Sequence, residues 1–264
     1  MNIGLFDSLP ISGVYIGLTA GILLSFEVGY QISKYTSTRY DKEAPNAISP
    51  MVGGLLGMLA FVLAFTFAMA AAQHNLRKQN VLDEANAIGT AYLRADLVDE
   101  PHRTKVKHLL QEYVDIRLQA VEMGMSTDIL KTAIARSVEL HELLWAQVSS
   151  AAKKEPNINT GLLLQSINNV IDMHEKRLTA ALRNRIPGSI WLALLAISAL
   201  TMITMGAQAG LSKSRRLVAV IPLIMAFAAL TTVVVDLDRP QKGLIKVGQQ
   251  TMINLQSSMS RQTK

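Results

Sequence analysis

The stretch MVGGLLGMLAFVLAFTFAMAAA, residues 51–72, runs directly into QHNLRKQNVLDEANAIGTAYLRADL, residues 73–97, and the junction between them decides the fold. The first part carries no charged side chain. A bilayer core of about 30 Å needs roughly 20 apolar residues in helical form, so 51–72 is read as a membrane span. The second part spaces its apolar residues three and four apart among charges, the pattern of an amphipathic helix. It contains no Pro and only Gly89, so nothing interrupts the helix until Glu100-Pro101. One helix is therefore predicted to cross the membrane and to continue as the first helix of a water-facing domain.

Working outward, three further windows have the length and apolarity of spans: 9–30, 190–211 and 217–235. No Lys or Arg precedes the first and no small-residue cleavage site follows it, so it is read as a retained span rather than a secretion signal. A loop containing Pro45 and Pro50 joins spans one and two. The connection 212–216 is so short that spans three and four are expected as antiparallel neighbours, with Pro222 kinking the fourth near its start. The expected fold class is all-α. It is a polytopic membrane protein with a transmembrane hairpin at 1–72, a soluble helical bundle at 73–186, a second hairpin at 187–236 and a basic C-terminal tail at 237–264.

Within the bundle, a second helix is expected over 102–123, with Leu109, Leu110, Tyr113, Val114, Ile116 and Leu118 as its apolar contacts, stopping near Gly124. Ser126 can cap a third, striped by Ile129, Leu130, Ile134, Val138, Leu140 and Leu144 and broken at 153–156. A fourth, 159–185, leads to Pro187, which suits the first turn of span three. No strand signal and no internal repeat stands beside these.

Charge is segregated. Of 26 Lys and Arg the block 73–186 holds most, balanced by acids, and the net charge of +6 comes mainly from the C-terminal stretch, where no acid follows Asp238. Such a tail suits anionic lipid headgroups. Nucleic acid is not expected as a partner, because the basic residues are dispersed, lack interleaved aromatics and flank spans. There is no cysteine, which excludes disulfides, thiolate metal sites and cysteine nucleophiles. Lys34, Arg39 and Lys42 in the first short loop and Lys213, Arg215 and Arg216 in the second favour both loops inside, with the termini and the helical domain outside the cytoplasm. Arg77, Lys78, Arg183, Arg185, Arg239 and Lys242 flank the opposite face and weigh the other way.

Candidate functional residues begin in span two. Gly53, Gly57, Ala60, Ala64, Ala68 and Ala72 recur at intervals of three or four on one helical face, which allows close backbone approach by another helix. That helix belongs either to the same chain or to a neighbour around an oligomeric axis. In the second case Phe61, Val62 and Phe65 are candidates for a hydrophobic constriction that gates by dewetting. Glu27 is the acid inside a predicted span, placed to snorkel, to pair with Lys34 or to serve an ion path. Asp236, Asp238 and Arg239 close span four and are expected on the same membrane face as Asp83, Glu84, Asn86, Thr90 and Arg94. These form a polar boundary cluster, either a structural clamp in which Asp236 or Asp238 pairs with Arg77 or Arg94, or the vestibule of an ion path.

No catalytic pattern emerges. His141-Glu142-Leu143-Leu144-Trp145 begins like a zinc-protease helix, but Trp145 stands where the second histidine is required. Asp172 and His174 point to different helix faces. His74, His102, His108, His141 and His174 are all read as solvated surface. No cofactor, no metal and no enzyme activity is expected.

The segments 53–72 (GGLLGMLAFVLAFTFAMAAA), 81–97 (VLDEANAIGTAYLRADL) and 234–250 (VVDLDRPQKGLIKVGQQ) resemble the bacterial bestrophin-like family of unknown function, and the resemblance covers essentially the whole chain. That family is named for its likeness to bestrophins, pentameric chloride channels whose second span lines an axial pore. The likeness implies a pore neck at Phe61 and Phe65, with the small-residue face packed on neighbouring subunits. It does not extend to calcium gating, since only Asp236 and Asp238 stand where bestrophins carry an acidic cluster. It also implies a cytoplasmic helical domain, against the charge asymmetry. The resulting expectation is a homo-oligomeric channel for a small inorganic ion in the bacterial inner membrane, in contact with the lipid bilayer. The alternative is a non-conducting scaffold or sensor whose helical domain binds a partner.

Overall fold

The structure is a computed structural model that describes residues 6–36, 44–122, 127–212, 217–239 and 243–262. Among the described residues, eight α-helices run in the order α1 (Ile11–Thr36), α2 (Ala44–Arg94), α3 (His102–Glu122), α4 (Thr127–Lys154), α5 (Ile158–Leu182), α6 (Gly188–Leu211), α7 (Leu217–Asp238) and α8 (Gln250–Gln262), with a 3-10 turn at Ala95–Leu97 after α2. Among the described residues there is no strand. Four helices among the described residues are long and apolar enough to cross a membrane: Ile11–Tyr35, Ile48–Leu97, Gly188–Leu211 and Leu217–Asp238. The second is far longer than a bilayer requires, since 51 residues of α-helix rise about 75 Å at about 1.5 Å per residue. Its uncharged part is 51–72, as the junction implied.

The chain divides into two compact units, and the boundary falls inside α2. The membrane unit comprises Met1–His74 and Arg185–Lys246; the helical unit comprises Asn75–Asn184 and Val247–Lys264.

In the membrane unit α1 packs on α6 and α7. The core combines Val14, Leu18, Ile22 and Phe26 of α1, Leu59, Leu63 and Ala70 of α2, Trp191, Leu194 and Met202 of α6, and Ile224, Ala228 and Val234 of α7. Where α1 crosses α6 the backbones nearly touch. A Cβ on Gly29 would lie 1.9 Å from the Ile203 carbonyl oxygen, and one on Gly206 would lie 2.0 Å from that of Phe26. Only glycine fits there, because dispersion and close contact, rather than a hydrophobic drive, join helices in lipid. Hydroxyls inside the apolar helices bond back one turn, as Thr66 does to Val62 at 2.7 Å and Thr201 to Ile197 at 2.7 Å, so they present no unsatisfied donor to hydrocarbon.

Several expectations shift. Pro45 and Pro50 were placed in a loop, whereas α2 already begins at Ala44 and Pro50 lies inside it. Pro45 falls in the first turn, where a missing amide removes no helical bond, whereas Pro50, six residues into the helix, leaves one carbonyl of the preceding turn without its amide partner. Pro187 stands just before α6 as its N-cap residue, with ψ of 139°, rather than in the first turn. Gly124, Ser126 and the loop charges Arg39, Lys42, Lys213, Arg215, Arg216 and Lys242 lie outside the described residues.

In the helical unit α3 packs on α4 and α8, and α4 on α5. Ile88 and Ala91 of α2, Leu110 and Tyr113 of α3, Leu140 and Leu144 of α4 and Ile167 and Val170 of α5 form its core. Helix α5 opens with a capping box. The Asn157 side chain accepts from the Thr160 amide at 3.0 Å, and the Thr160 hydroxyl accepts from the Asn157 amide at 3.2 Å. The stretch read as a basic tail carries α8, which buries Met252 and Met259 in this core. Those two methionines are seven residues apart, two helical turns on one face, a signal diluted by the polar sequence between them.

Candidate functional site

Within one chain α2 presents two contrasting faces in its membrane segment. Val52, Leu59, Leu63, Thr66 and Ala70 are buried. Phe61 and Phe65 stand nearly opposite that stripe, 72% and 63% exposed, with Val62 half-buried. Gly53, Gly57, Ala60, Ala64, Ala68 and Ala72 are all exposed, and a Cβ on Gly53 or Gly57 would meet nothing within 4 Å. The small-residue face is thus not used for packing inside the chain. That task falls to Gly29 and Gly206 at the α1–α6 crossing. Glu27 is half-buried, and its carboxylate accepts from Gln31 one turn on.

The acids at the end of α7 organise the chain around them. Asp236 accepts from the backbone amides of Leu244, at 3.0 Å, and Ile245, at 2.8 Å. Gly243, next to Leu244, has φ of 148°, and a Cβ there would lie 1.9 Å from Asp236 Oδ1. Glycine is required on both counts. Asp238 accepts from the Ile186 amide at 2.9 Å, while Arg185 donates to the Asp238 carbonyl at 2.6 Å and pairs with Asp7. Arg239 donates to the Phe6 carbonyl. Where the pattern of charges suggested Arg77 or Arg94 as the partner of these aspartates, Arg185 stands beside Asp238 in the membrane unit.

The remaining members of the expected cluster lie in the helical unit and divide by face. Asn86 and Thr90 are exposed, and Asp83 accepts from Gln79 at 2.9 Å. Arg94 donates to the Leu162 carbonyl at 3.1 Å and the Ser166 hydroxyl at 2.6 Å. Arg77 donates to the carbonyls of Ala180, at 3.1 Å, and Asn184, at 3.0 Å. Glu84 turns the other way and is completely buried.

Around Glu84 the helices build an ionic hub. Tyr113 donates to its Oε1 at 2.6 Å, Arg117 Nε lies 3.1 Å from the same oxygen, and Arg177 donates to Oε2. Arg177 reaches further, to Gln249 at 2.7 Å. The Tyr113 oxygen is also 2.9 Å from His174 Nδ1. His141 completes the group, its ring 5.0 Å from that of Tyr113 and 4.8 Å, edge-on, from that of His174.

The protonation states follow from these contacts. Burial alone would raise the Glu84 carboxyl, but Arg117, Arg177 and the Tyr113 hydroxyl together bring it down to about 2. Burial and Glu84 push the Tyr113 phenol well above its ordinary value. Burial, reinforced by Arg117, pulls His141 down to about 4, and burial with Arg117, His141 and Arg177 pulls His174 down to about 3. Glu84 opposes both histidine shifts without overcoming them. Because Tyr113 gives its single proton to an ionised carboxylate, neutral His174 carries its proton on Nδ1 and donates it to the Tyr113 oxygen. Nε2 of His174 is then a bare lone pair, and both it and His141 Nε2 are buried without a protein hydrogen-bond partner. His141 and His174 are therefore interior residues, not the solvated surface expected of them. His108 is exposed, and His102 is half-buried beside Gln147.

A family model described as the bestrophin-like domain matches residues 20–252. The chain belongs to the bestrophin-like family. No curated protein and no solved structure matches it. The matched region of this bestrophin-like chain takes in most of α1, all of α2 to α7 and the start of α8. The exposed phenylalanines, the α7 acids and the hub all lie within it.

The hub is the part of this bestrophin-like chain that sequence reasoning missed. Its signal was present: Arg77, Val81, Glu84, Ala85, Ile88, Ala91, Tyr92 and Ala95 are buried at intervals that make one helical stripe, and Glu84 sits in phase with it. Glu84 was instead grouped with its charged neighbours. His174 and Arg177 are three apart on the buried face of α5, a second cue that only a partner carboxylate makes meaningful.

Proposed function

We propose that this protein is a homo-oligomeric ion channel whose conduction path forms around the outer face of α2. The observation that carries this reading is the exposure of Phe61 and Phe65 beside an uncovered row of small residues in a membrane-spanning helix. In a closed ring of copies the row Gly53, Gly57, Ala60, Ala64, Ala68 and Ala72 packs against the neighbouring subunit, where short side chains permit close approach. Phe61, Val62 and Phe65 then turn towards the axis as a neck that gates by dewetting. The permeant species is a small inorganic ion, with an anion favoured by the family's likeness to bestrophins. The membrane is the bacterial inner membrane, with the termini and helical unit outside the cytoplasm as the loop charges favour. The proposed role is conduction rather than catalysis.

Purified protein reconstituted in liposomes tests the proposal. Flux of chloride or another small ion, blocked when the oligomer is dissociated, is the expected result. Absence of flux for all small ions with oligomers intact overturns it and leaves a scaffold or sensor.

A further inference from the structure

The hub in the helical unit has a built-in imbalance. One carboxylate, Glu84 of α2, faces two guanidinium groups, Arg117 of α3 and Arg177 of α5. The groups packed around the two imidazoles are Glu84 from α2, Tyr113 and Arg117 from α3, His141 from α4, and His174 and Arg177 from α5, while the segment leading into α8 supplies the neutral Gln249. Each of these helical segments thus contributes a side chain to one buried cluster. Neutral histidines are compatible with it; a third or fourth cation beside a single buried carboxylate is not.

We propose that the His141–His174 pair is an acid-sensitive latch, closed while both rings are neutral and released when a proton reaches the bare Nε2 of His174 or Nε2 of His141, so that the helices of this unit loosen around Glu84. The proton has a defined place to go. His174 already uses Nδ1 towards Tyr113, so Nε2 is its vacant position, and the buried Nε2 of His141 makes no protein hydrogen bond. Protonation leaves the Nδ1 bond to Tyr113 intact but adds charge that Glu84 cannot neutralise, because it is already shared between two arginines. Opening lets water reach the rings and relieves the repulsion. The low proton affinity of both rings in the closed state agrees with this direction. This device is independent of whether α2 conducts ions.

Linkage sets the size of the effect. Each histidine that binds a proton in the open state but not in the closed one raises the open-to-closed ratio by up to about tenfold per pH unit below about 6.5. Hydrogen exchange on the full-length protein in detergent, corrected for the intrinsic pH dependence of exchange, reads this ratio in the α4 and α5 core between pH 7.5 and 5. Wild type should lose protection with up to about 100-fold change per pH unit, and the double variant His141→Gln, His174→Asn should be flat over the same range. Asn keeps a donor near the Nδ1 position for Tyr113 and cannot take a proton. Coincident wild-type and variant profiles would overturn the latch. Should the double variant fail to fold, wild-type protein labelled with ¹³C-histidine decides the matter. Two imidazoles that stay neutral well below about pH 6.5, in a protein whose α4 and α5 protection falls with pH, sustain the proposal; pH-independent protection, or five imidazoles that all titrate near pH 6.5, overturns it.

Discussion

Tyr113 donates its hydroxyl proton to Oε1 of Glu84 across 2.6 Å, and both residues are buried, one on α3 and the other on α2. The bond orients the carboxylate between Arg117 and Arg177 and at the same time dictates which nitrogen of His174 is protonated. Replacing the carboxylate without changing its shape should therefore be costly. Glu84→Gln leaves two buried guanidiniums without a counter-charge and is expected to destabilise the protein by about 3–5 kcal/mol, whereas Tyr113→Phe should cost about 1–3 kcal/mol. Melting temperatures in detergent measure both, and an unchanged value for Glu84→Gln would remove the hub from the account of stability.

The hub also predicts the sign of the pH dependence. His141 and His174 bind protons more weakly folded than unfolded, so stability is highest above about pH 6.5 and falls as pH drops towards their folded values of about 4 and about 3. Glu84 acts in a lower window: its stabilisation is present above its ordinary value near 4.5 and is lost as pH falls towards about 2. Melting temperature should decline first between pH 7 and 5. A His174→Asn protein should show a shallower decline there while keeping the acid limb below pH 4.5.

The outer face of α2 can be probed at Phe61 and Phe65, which are largely exposed in the single chain. Phe61→Ala combined with Phe65→Ala should raise ion leak through reconstituted protein and leave the unfolding free energy within about 0.5 kcal/mol of wild type. Unchanged flux in a protein that conducts would reject these residues as the neck.

Two glycines in membrane-spanning helices should behave oppositely. Gly206→Leu drives a side chain into the Phe26 carbonyl, where even a Cβ would lie 2.0 Å away, and is expected to abolish folded protein. Gly57→Leu enters open space in the single chain and should leave the fold intact while lowering the oligomeric mass read by light scattering. An oligomer indifferent to Gly57→Leu would place the subunit contact elsewhere.

At the end of α7, Asp236 and Gly243 make one unit. Gly243→Ala is strained at φ of 148° and clashes with Asp236, so a loss of about 3 kcal/mol or more is expected. Asp236→Asn removes one of the two acceptors for the Leu244 and Ile245 amides and should cost about 1–3 kcal/mol. Equal melting temperatures for wild type and Asp236→Asn would contradict the clamp.

Much of the fold could be read from the chain because the properties that specify it are local. The uncharged run 51–72 and the absence of a breaker up to Glu100 predict the long α2, and it is observed as a single helix ending at Arg94. The starts of α3, α4 and α5 at His102, Thr127 and Ile158 fall within a residue or so of where breakers and caps placed them. The site was less legible. Phe61 and Phe65 stand exposed in the single chain, the face that the small residues of α2 present is open within it, and the tight crossing belongs to Gly29 and Gly206, members of small-residue spacings of four in α1 (Gly17, Gly21, Ser25, Gly29) and α6 (Gly206, Gly210) that spacing alone does not rank above the row in α2.

By itself, then, the sequence determined four apolar helices, the continuation of the second beyond the membrane and the helical character of the domain that follows. Length, apolarity and helix breakers act over a few turns and leave their mark in consecutive residues. Only the tertiary structure decided that Glu84 is interior, that Tyr113 and Arg177 meet it from 29 and 93 residues away, that His141 and His174 are buried beside them, and that Met252 and Met259 close the same core. A buried charge is tolerated only where partners arrive from other helices, and no local pattern records which distant residues those will be.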